Sequence, residues 1–261
     1  MRIFPTLVCL FYSACLLAQT KYDWSEILVT PPDSHHTAGN QILHFKSKNK
    51  HFSESPEAAK FVEKNLSLAM PLQSDADVLR FASDQVCIEG AYLEMGVCTA
   101  KTINFIAALN PLQRIYGFDS FEGLPEDWVR DDKIFPKETF AFLNPEAFPY
   151  VLHNVTLYKG WFQDSLPIFK ENVLHDLPIA FLHIDCDLYS STQDVFHALG
   201  NNIVHGTVIV FDELYNFPGY QKHELKALQE FLEAREFEAE YLAYNIFHQQ
   251  VAIRIKAPSC R

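Results

Sequence analysis

The chain has 261 residues, of which 48% are hydrophobic, and a formal net charge of −12 at pH 7. This length and composition suit one domain with a full hydrophobic core and an N-terminal extension. The 21 basic residues are scattered along the chain, which argues against nucleic acid as a partner, because phosphate binding needs a concentrated basic face. None of the 6 cysteines forms a Cys-x-x-Cys pair, which argues against a structural zinc site and a dithiol redox motif.

Residues 1–19 have the pattern of a secretory signal or a membrane anchor. Met1 and Arg2 precede an apolar run over residues 3–18, and Ala18 offers a cleavage site. The run is shorter than the roughly 20 residues that a membrane-spanning helix needs. Three interpretations stay open: an export signal, an uncleaved anchor that associates the protein with a membrane, and a wrongly assigned start codon.

The next segment, residues 20–55, is polar and is predicted to be an irregular lead-in. Regular hydrophobic periodicity then predicts one domain over residues 56–256, with a short tail at 257–261. Its first two elements are predicted helices over residues 56–70 and 75–85, the first capped by Ser55 and begun by Pro56. These helices offer a surface for a homodimer.

Strands and helices alternate along the rest of the domain. Strands are predicted over residues 90–97, 114–119, 155–158, 179–184 and 206–211, helices over 100–109, 191–199 and 223–235, and a closing hairpin over 237–244 and 249–255. This order predicts a doubly wound, Rossmann-like α/β fold: five parallel strands, helices on both faces and a C-terminal antiparallel hairpin. The arrangement resembles that of class I methyltransferases.

Carboxylates directly follow the fourth and fifth of the parallel strands. Asp185 and Asp187 come after one strand, and Asp212 and Glu213 come after the next. Because parallel strands deliver their carboxyl ends to one crevice, these groups are expected to crowd together. A divalent cation relieves such repulsion, and oxygen ligands favour Mg²⁺ or Mn²⁺.

The first three strands end in residues that suit a nucleoside-containing ligand. Gly96 lets the backbone approach a ligand, and Glu94 is predicted to accept a hydrogen bond from the ligand's ammonium group. Asp119 is predicted to bind ribose hydroxyls, with capping of the next turn as the alternative. Trp161 either packs on a base or belongs to the core.

Two segments are predicted to meet the acceptor substrate. Residues 125–154 form a long, acidic and aromatic insertion, which is typical of a lid or a substrate wall. Residues 214–220 directly follow the second pair of carboxylates and are predicted to contact the acceptor.

The chain resembles the macrocin O-methyltransferase family over residues 75–256. The two most specific blocks are Gly-Phe-Asp-Ser-Phe-Glu-Gly-Leu-Pro at 117–125 and Asp-Cys-Asp-Leu-Tyr-Ser-Ser-Thr at 185–192. Further blocks in family order are Glu-Met-Gly at 94–96, Gly-Trp-Phe-Gln-Asp-Ser-Leu-Pro at 160–167, Gly-Thr-Val-Ile-Val-Phe-Asp-Glu at 206–213 and Gln-Val-Ala-Ile at 250–253.

This resemblance implies an S-adenosylmethionine-dependent O-methyltransferase that uses Mg²⁺ (or Mn²⁺) and acts on a hydroxyl of a sugar or similar diol. The implied metal ligands are Asp185, Asp212 and Glu213. The implied cofactor-binding residues are Glu94, Gly96, Thr102, Asp119, Ser120, Trp161 and Asp164.

The implied reaction needs a base and space for the cofactor. Asp185 is one candidate base, and His183, two residues earlier on the same strand face, is the other, although a strand histidine is more often a core residue. The family has a second glycine where this chain has Ala100. The extra methyl is either accommodated by a small shift or obstructs the methionine end of the cofactor.

Two other functions are compatible with the residues. Asp185-Cys186-Asp187 is an Asp-x-Asp motif, which glycosyltransferases use to bind Mn²⁺ and a nucleotide sugar. Ala100 and the signal-like leader fit a non-catalytic relative that binds a glycan or a partner, because S-adenosylmethionine is not expected outside the cytoplasm. A methyltransferase would therefore work in the cytoplasm or at a membrane, whereas the leader suggests export.

Overall fold

A computed structural model of the protein describes residues 55–141 and 148–257. The predicted leader and almost all of the lead-in and tail lie outside these ranges. Within them, every helix is too short or too polar to cross a membrane.

The domain is built on a mixed sheet of eight strands. These strands are β1 (Met70–Leu72), β2 (Ala91–Met95), β3 (Ile115–Asp119), β6 (Val155–Lys159), β7 (Ile179–Ile184), β8 (Val208–Phe211), β9 (Glu238–Asn245) and β10 (Val251–Lys256). Their spatial order is β1-β9-β10-β8-β7-β2-β3-β6. The five strands from β8 to β6 are parallel, and β10 is antiparallel to both β8 and β9. The predicted fold class, with its closing hairpin, is confirmed.

Helices cover both faces of this sheet. They are α1 (Pro56–Phe61), α2 (Asp75–Asp84), α3 (Lys101–Leu109), α4 (Phe162–Phe169), α5 (Tyr189–Leu199) and α6 (Glu224–Arg235). One face packs on α2 and α3 through a cluster that includes Leu79, Ile103 and Phe181. The other packs on α4, α5 and α6 through a cluster that includes Leu166, Leu182 and Leu228. Side chains of β7 therefore alternate between two buried layers.

The helix predicted over residues 56–70 ends early. The α1 helix begins as expected, with the hydroxyl of Ser55 accepting a bond from the backbone N–H of Ala58 at 3.0 Å, and a π-helical turn extends it over Val62–Leu66. Met70–Leu72 then leaves as β1 and pairs with β9 at the sheet edge. Pro71 explains the change, because the residue before a proline avoids helical backbone angles.

Two further elements were not predicted. The α4 helix contains Pro167, which removes a backbone donor and hides the helical pattern. A small antiparallel sheet of β4 (Trp128–Val129) and β5 (Ile134–Phe135) lies within the insertion, where strands this short leave no periodicity.

The side chain of Asn154 ties the end of α3 to the start of β6. Its amide donates to the carbonyl oxygens of Ala107, Asn110 and Gln113 at 3.0, 3.2 and 3.0 Å. Ala107 and Asn110 also accept backbone hydrogen bonds from Asn110 and Gln113, so this buried amide reinforces the turn that follows α3.

We expect Asn154→Ala to lower the free energy of unfolding by about 2 kcal/mol, because it removes the three hydrogen bonds that the Asn154 amide donates. Denaturant titration measures this. The control is Asn172→Ala, which removes an exposed amide that donates to Ile168 at 2.8 Å. We expect it to change stability by less than about 0.5 kcal/mol. Equal effects of the two substitutions would contradict the prediction.

Candidate functional site

A cavity of about 750 Å³ opens at the carboxyl edge of the parallel strands. It brings together most of the residues that the sequence predicts for the site. Five predicted cofactor residues line it: Gly96, Thr102, Asp119, Ser120 and Trp161. The three predicted metal ligands also line it: Asp185, Asp212 and Glu213. The predicted convergence of strand ends is therefore present in the fold.

Three predicted site residues are not among the described residues that line the cavity. Asp164 is exposed in the first turn of α4, and its neighbours Phe162 and Gln163 line the cavity instead. Glu94 and His183 are fully buried beneath the cavity. Strand ends can be recognised in a sequence, but the depth of each side chain depends on the register between strands.

The turn after β2 requires glycine at position 96. Gly96 has a φ of +91°, and an added Cβ atom would overlap the carbonyl oxygen of Asp185. The backbone N–H of Asp185 donates to Met95 at 2.8 Å, which holds the two segments together. The glycine thus lets the turn after β2 approach the end of β7, where Asp185 lies.

The carboxylate of Asp119 organises this turn. One oxygen accepts bonds from the backbone N–H groups of Val97 and Cys98 at 2.8 and 2.7 Å, and the other accepts from Phe121 at 2.6 Å. Burial raises the pKa of Asp119, and these hydrogen bonds oppose the rise. The capping role is confirmed, and ribose binding by the same carboxylate stays a prediction.

Ala100 does not narrow the cavity. It adopts left-handed backbone angles, with φ 62° and ψ 18°, which accounts for a glycine at this position in the family. Its methyl is fully buried in the hydrophobic cluster under α2 and α3, and the residues lining the cavity do not include it. Of the two alternatives for this methyl, the structure favours accommodation over obstruction of the methionine end.

A second group of side chains forms an acidic cluster at the ends of β7 and β8. Ligand atoms of His183, Asp185 and Asp212 lie within 4.8 Å of one another. Burial and the charge of Asp212 raise the pKa of Asp185, and the same two causes raise the pKa of Asp187 to about 7. Burial also raises the pKa of Glu213 well above its usual value. The site is thus a place where negative charge is hard to hold without a cation.

Asp212 is the carboxylate best prepared to stay ionised. Burial opposes ionisation, but hydrogen bonds from Glu213 and Gln250 lower the pKa of Asp212. The Gln250 amide donates to it at 2.9 Å and is itself held by Asn245 at 2.9 Å. Gln250 begins the Gln-Val-Ala-Ile block that resembles the family. Its hydrogen bond to Asp212 gives this block a role in the site.

Glu94 and His183 form a pair beneath the cluster. Glu94 Oε1 lies 2.9 Å from His183 Nδ1, and both side chains are 0% exposed. Burial raises the pKa of Glu94, and the charges of Asp119 and Asp212 add to this effect. Glu94 Oε2 and His183 Nε2 have no hydrogen-bond partner among the described residues.

Lys101 and Asp75 are site residues that the sequence analysis missed. Both line the cavity, and Lys101 Nζ lies 3.8 Å from Asp75 Oδ2. Burial lowers the pKa of Lys101, while Asp75, Asp212 and Asp185 act against this. Lys101 is the first residue of α3, directly after Ala100. This position at the start of the helix was the signal in the sequence that could have placed Lys101 at the cavity.

Of the two segments predicted to contact the acceptor, one lines the cavity. Glu126, Lys137 and Phe140 of the insertion do so, and their contact with a substrate stays a prediction. The prediction for residues 214–220 is wrong for the large side chains of that segment. Leu214, Tyr215, Phe217 and Tyr220 are at most 3% exposed and belong to the core.

The insertion is fastened to that buried segment. The guanidinium of Arg130 lies 5.3 Å from the ring centroid of Trp128 and 4.3 Å from that of Phe217. Lys222 Nζ also contacts Asp131 Oδ1 at 2.6 Å. The β4–β5 hairpin and the chain after β8 are therefore packed together.

The fold and the site together define a class of protein. Five parallel strands, a reversed closing hairpin, a glycine turn after β2 and an acidic residue ending β3 are the features of a class I, S-adenosylmethionine-dependent methyltransferase. The model of the macrocin O-methyltransferase (TylF) family matches residues 19–246, and the chain belongs to this family. It is an S-adenosylmethionine-dependent O-methyltransferase. This assignment decides against the glycosyltransferase interpretation of Asp185-Cys186-Asp187.

Solved structures show the same fold. The calicheamicin methyltransferase CalS11 is 24% identical, with 82% of this chain and 92% of that chain covered and a TM-score of 0.56. The O-methyltransferase NovP is 19% identical, with 70% and 79% covered and a TM-score of 0.50. No curated protein sequence matches the chain significantly.

Substitution of the two small residues of the turn, Gly96 and Ala100, should affect cofactor binding differently. We expect Gly96→Ala to abolish binding of S-adenosylhomocysteine in calorimetric titration, because the added methyl meets the Asp185 backbone. Ala100→Gly should leave the affinity within about threefold, since left-handed backbone favours glycine and the lost methyl faces the core. A marked gain of affinity in Ala100→Gly would show that the methyl obstructs the cofactor after all.

The raised carboxyl pKa values predict how stability depends on pH in metal-free protein. A carboxyl whose pKa is raised on folding stabilises the fold below its unfolded pKa, about 4, and this contribution is lost as pH rises. For Asp187 the loss extends to its folded pKa of about 7. We therefore expect the Tm of EDTA-treated protein to fall between about pH 4 and pH 7. Asp187→Asn should flatten the slope, and an unchanged slope would contradict this.

Proposed function

We propose that this enzyme transfers the methyl group of S-adenosylmethionine to a hydroxyl of a sugar or a similar diol, with Mg²⁺ held by Asp185, Asp212 and Glu213. The observation that carries the proposal is the shared cavity. The glycine turn with Asp119 borders the same space as the acidic cluster. A cofactor and a cation-bound acceptor could therefore meet inside it.

The residues present fit a hard divalent cation. The three carboxylates supply oxygen donors, which Mg²⁺ prefers. Glu213 Oε2 is buried and has no partner among the described residues, so a ligand is needed to satisfy it. Bound there, the ion would lower the pKa of a coordinated hydroxyl.

Asp185 is the better of the two candidate bases. It lines the cavity, whereas His183 is fully buried below it. A base must come within hydrogen-bond reach of the proton that it accepts, and this condition favours Asp185. Holding the acceptor oxygen and the sulfonium methyl in line would then supply much of the acceleration.

The chemistry of the cavity wall supports a hydroxyl-rich acceptor. Glu126, Lys137, Ser190 and Asp194 line the cavity and can form hydrogen bonds with hydroxyl groups. The similar structure CalS11 is named a TDP-rhamnose 3'-O-methyltransferase. A sugar acceptor for this chain agrees with that name.

We propose that the enzyme works in the cytoplasm or at a membrane surface facing it, because S-adenosylmethionine is not expected elsewhere. Residues 1–18, on which export or anchoring would depend, lie outside the described ranges. The homodimer predicted through the first two helices also stays a prediction.

The cation site is tested by Asp212→Asn. The assay measures methylation of TDP-rhamnose or a related deoxysugar through the release of S-adenosylhomocysteine. We expect kcat to fall by about 100-fold, because without the metal the transition state loses several kcal/mol of stabilisation. Affinity for S-adenosylhomocysteine should stay within about threefold of the unsubstituted enzyme.

Asp176→Asn is the matched control, because its carboxylate is exposed and lies outside the cavity lining. It should leave both quantities unchanged. Full activity of Asp212→Asn would contradict the role of the cation. Cofactor binding without turnover on any sugar or diol tested would contradict the acceptor class.

A further inference from the structure

The acidic cluster rests on a row of residues one step deeper in the sheet. Glu94 lies opposite His183, and His183 lies opposite Val210. Asp185 and Asp212 come two residues after His183 and Val210. Because side chains alternate along a strand, the four side chains on β7 and β8 lie on one face. The Glu94–His183 pair therefore forms the floor beneath the carboxylates.

This floor has an unsatisfied atom. The bond at 2.9 Å occupies His183 Nδ1, while Nε2 is buried and has no partner among the described residues. Leaving a buried polar atom unpaired costs roughly 1–3 kcal/mol. A fully buried histidine with one ring nitrogen fixed and the other unused is expected to have a further partner.

The position of the ring identifies that partner as a cation. A ring nitrogen of His183 lies within 4.8 Å of carboxylate oxygens of both Asp185 and Asp212. In the tautomer whose Nδ1–H donates to Glu94 Oε1 across this 2.9 Å contact, Nε2 carries a lone pair. Carboxylates that fix the other nitrogen of a metal-binding histidine are common around metal ions.

The opposing helices contribute charged groups to the same face. Lys101 and Asp75 lie at the start of α3 and α2, where they contact each other at 3.8 Å. Because they pair with each other, His183 is the group that adds a nitrogen donor to Asp185, Asp212 and Glu213 of the proposed cation site.

We propose that His183 is a nitrogen ligand of the cation and that Glu94 is a positioning residue that fixes its ring. This inference rests on the cation site of the proposed function. A mixed donor set of imidazole and carboxylates binds Mn²⁺ and later transition metals better, relative to Mg²⁺, than carboxylates alone do. Glu94 then serves the cation site and not the cofactor.

The direct test uses Mn²⁺ alone as the probe. The full chain is stripped with EDTA, loaded with Mn²⁺ and studied by electron spin-echo envelope modulation, which detects nitrogen bound to the metal. We expect ¹⁴N modulation from one imidazole. Protein grown with ¹⁵N-histidine should lose the ¹⁴N pattern, and this measurement needs no substitution.

Two substitutions assign the nitrogen to a residue. His183→Gln should remove the modulation, and His248→Gln should retain it. His248 is the matched control because it belongs to the same region, with its Nδ1 3.0 Å from Gln250 Nε2. Glu94→Gln should weaken Mn²⁺ binding by about 10- to 100-fold while leaving the affinity for S-adenosylhomocysteine unchanged.

The outcomes separate this inference from the proposed function. Mn²⁺ binding without nitrogen modulation, or modulation that is lost only in His248→Gln, would overturn the role of His183 and leave the cation site standing. Absence of Mn²⁺ binding by the unsubstituted chain would overturn both. Weaker cofactor binding in Glu94→Gln, with Mn²⁺ affinity unchanged, would return Glu94 to the cofactor.

Discussion

Mutual repulsion among buried carboxylates is the constraint on which the site depends. Parallel strands deliver Asp185, Asp187, Asp212 and Glu213 to one edge of the sheet, where low polarity makes each negative charge harder to hold. Two neighbouring groups stabilise the negative charge: the Gln250 amide, which donates to Asp212, and the ammonium group of Lys101. The arrangement lowers the stability of the fold whenever these carboxyl groups are ionised together.

Much of the fold could be predicted because its signals are local. Buried strands that end in carboxylates, and helices that follow them, leave a clear period in the sequence. The residues at those ends, such as Gly96, Asp119 and Asp212, were placed correctly at one cavity. Their depth was not predictable, because it depends on which row of the sheet each residue joins. Glu94 is only two positions before Gly96, yet its side chain is fully buried beneath the cavity.

The misses have equally physical causes. Asp75 and Lys101 come from separate helices, so nothing in either segment shows that the other is near. The aromatic residues after Glu213 suggested a binding surface, but a large ring next to a buried strand gains more by packing in the core. The methyl of Ala100 could be judged only once its left-handed backbone angles showed that it turns away from the cofactor space.

The stacking of Arg130 between Trp128 and Phe217 has a consequence for substrate choice. It couples the β4–β5 hairpin, whose flanking residues Glu126 and Lys137 line the cavity, to the segment that begins at Asp212 and Glu213. A bulky acceptor that pushed the hairpin aside would also displace those carboxylates. Such an acceptor would still bind in the cavity, but it would be methylated slowly. Discrimination between acceptors by size would therefore appear in kcat rather than in binding affinity.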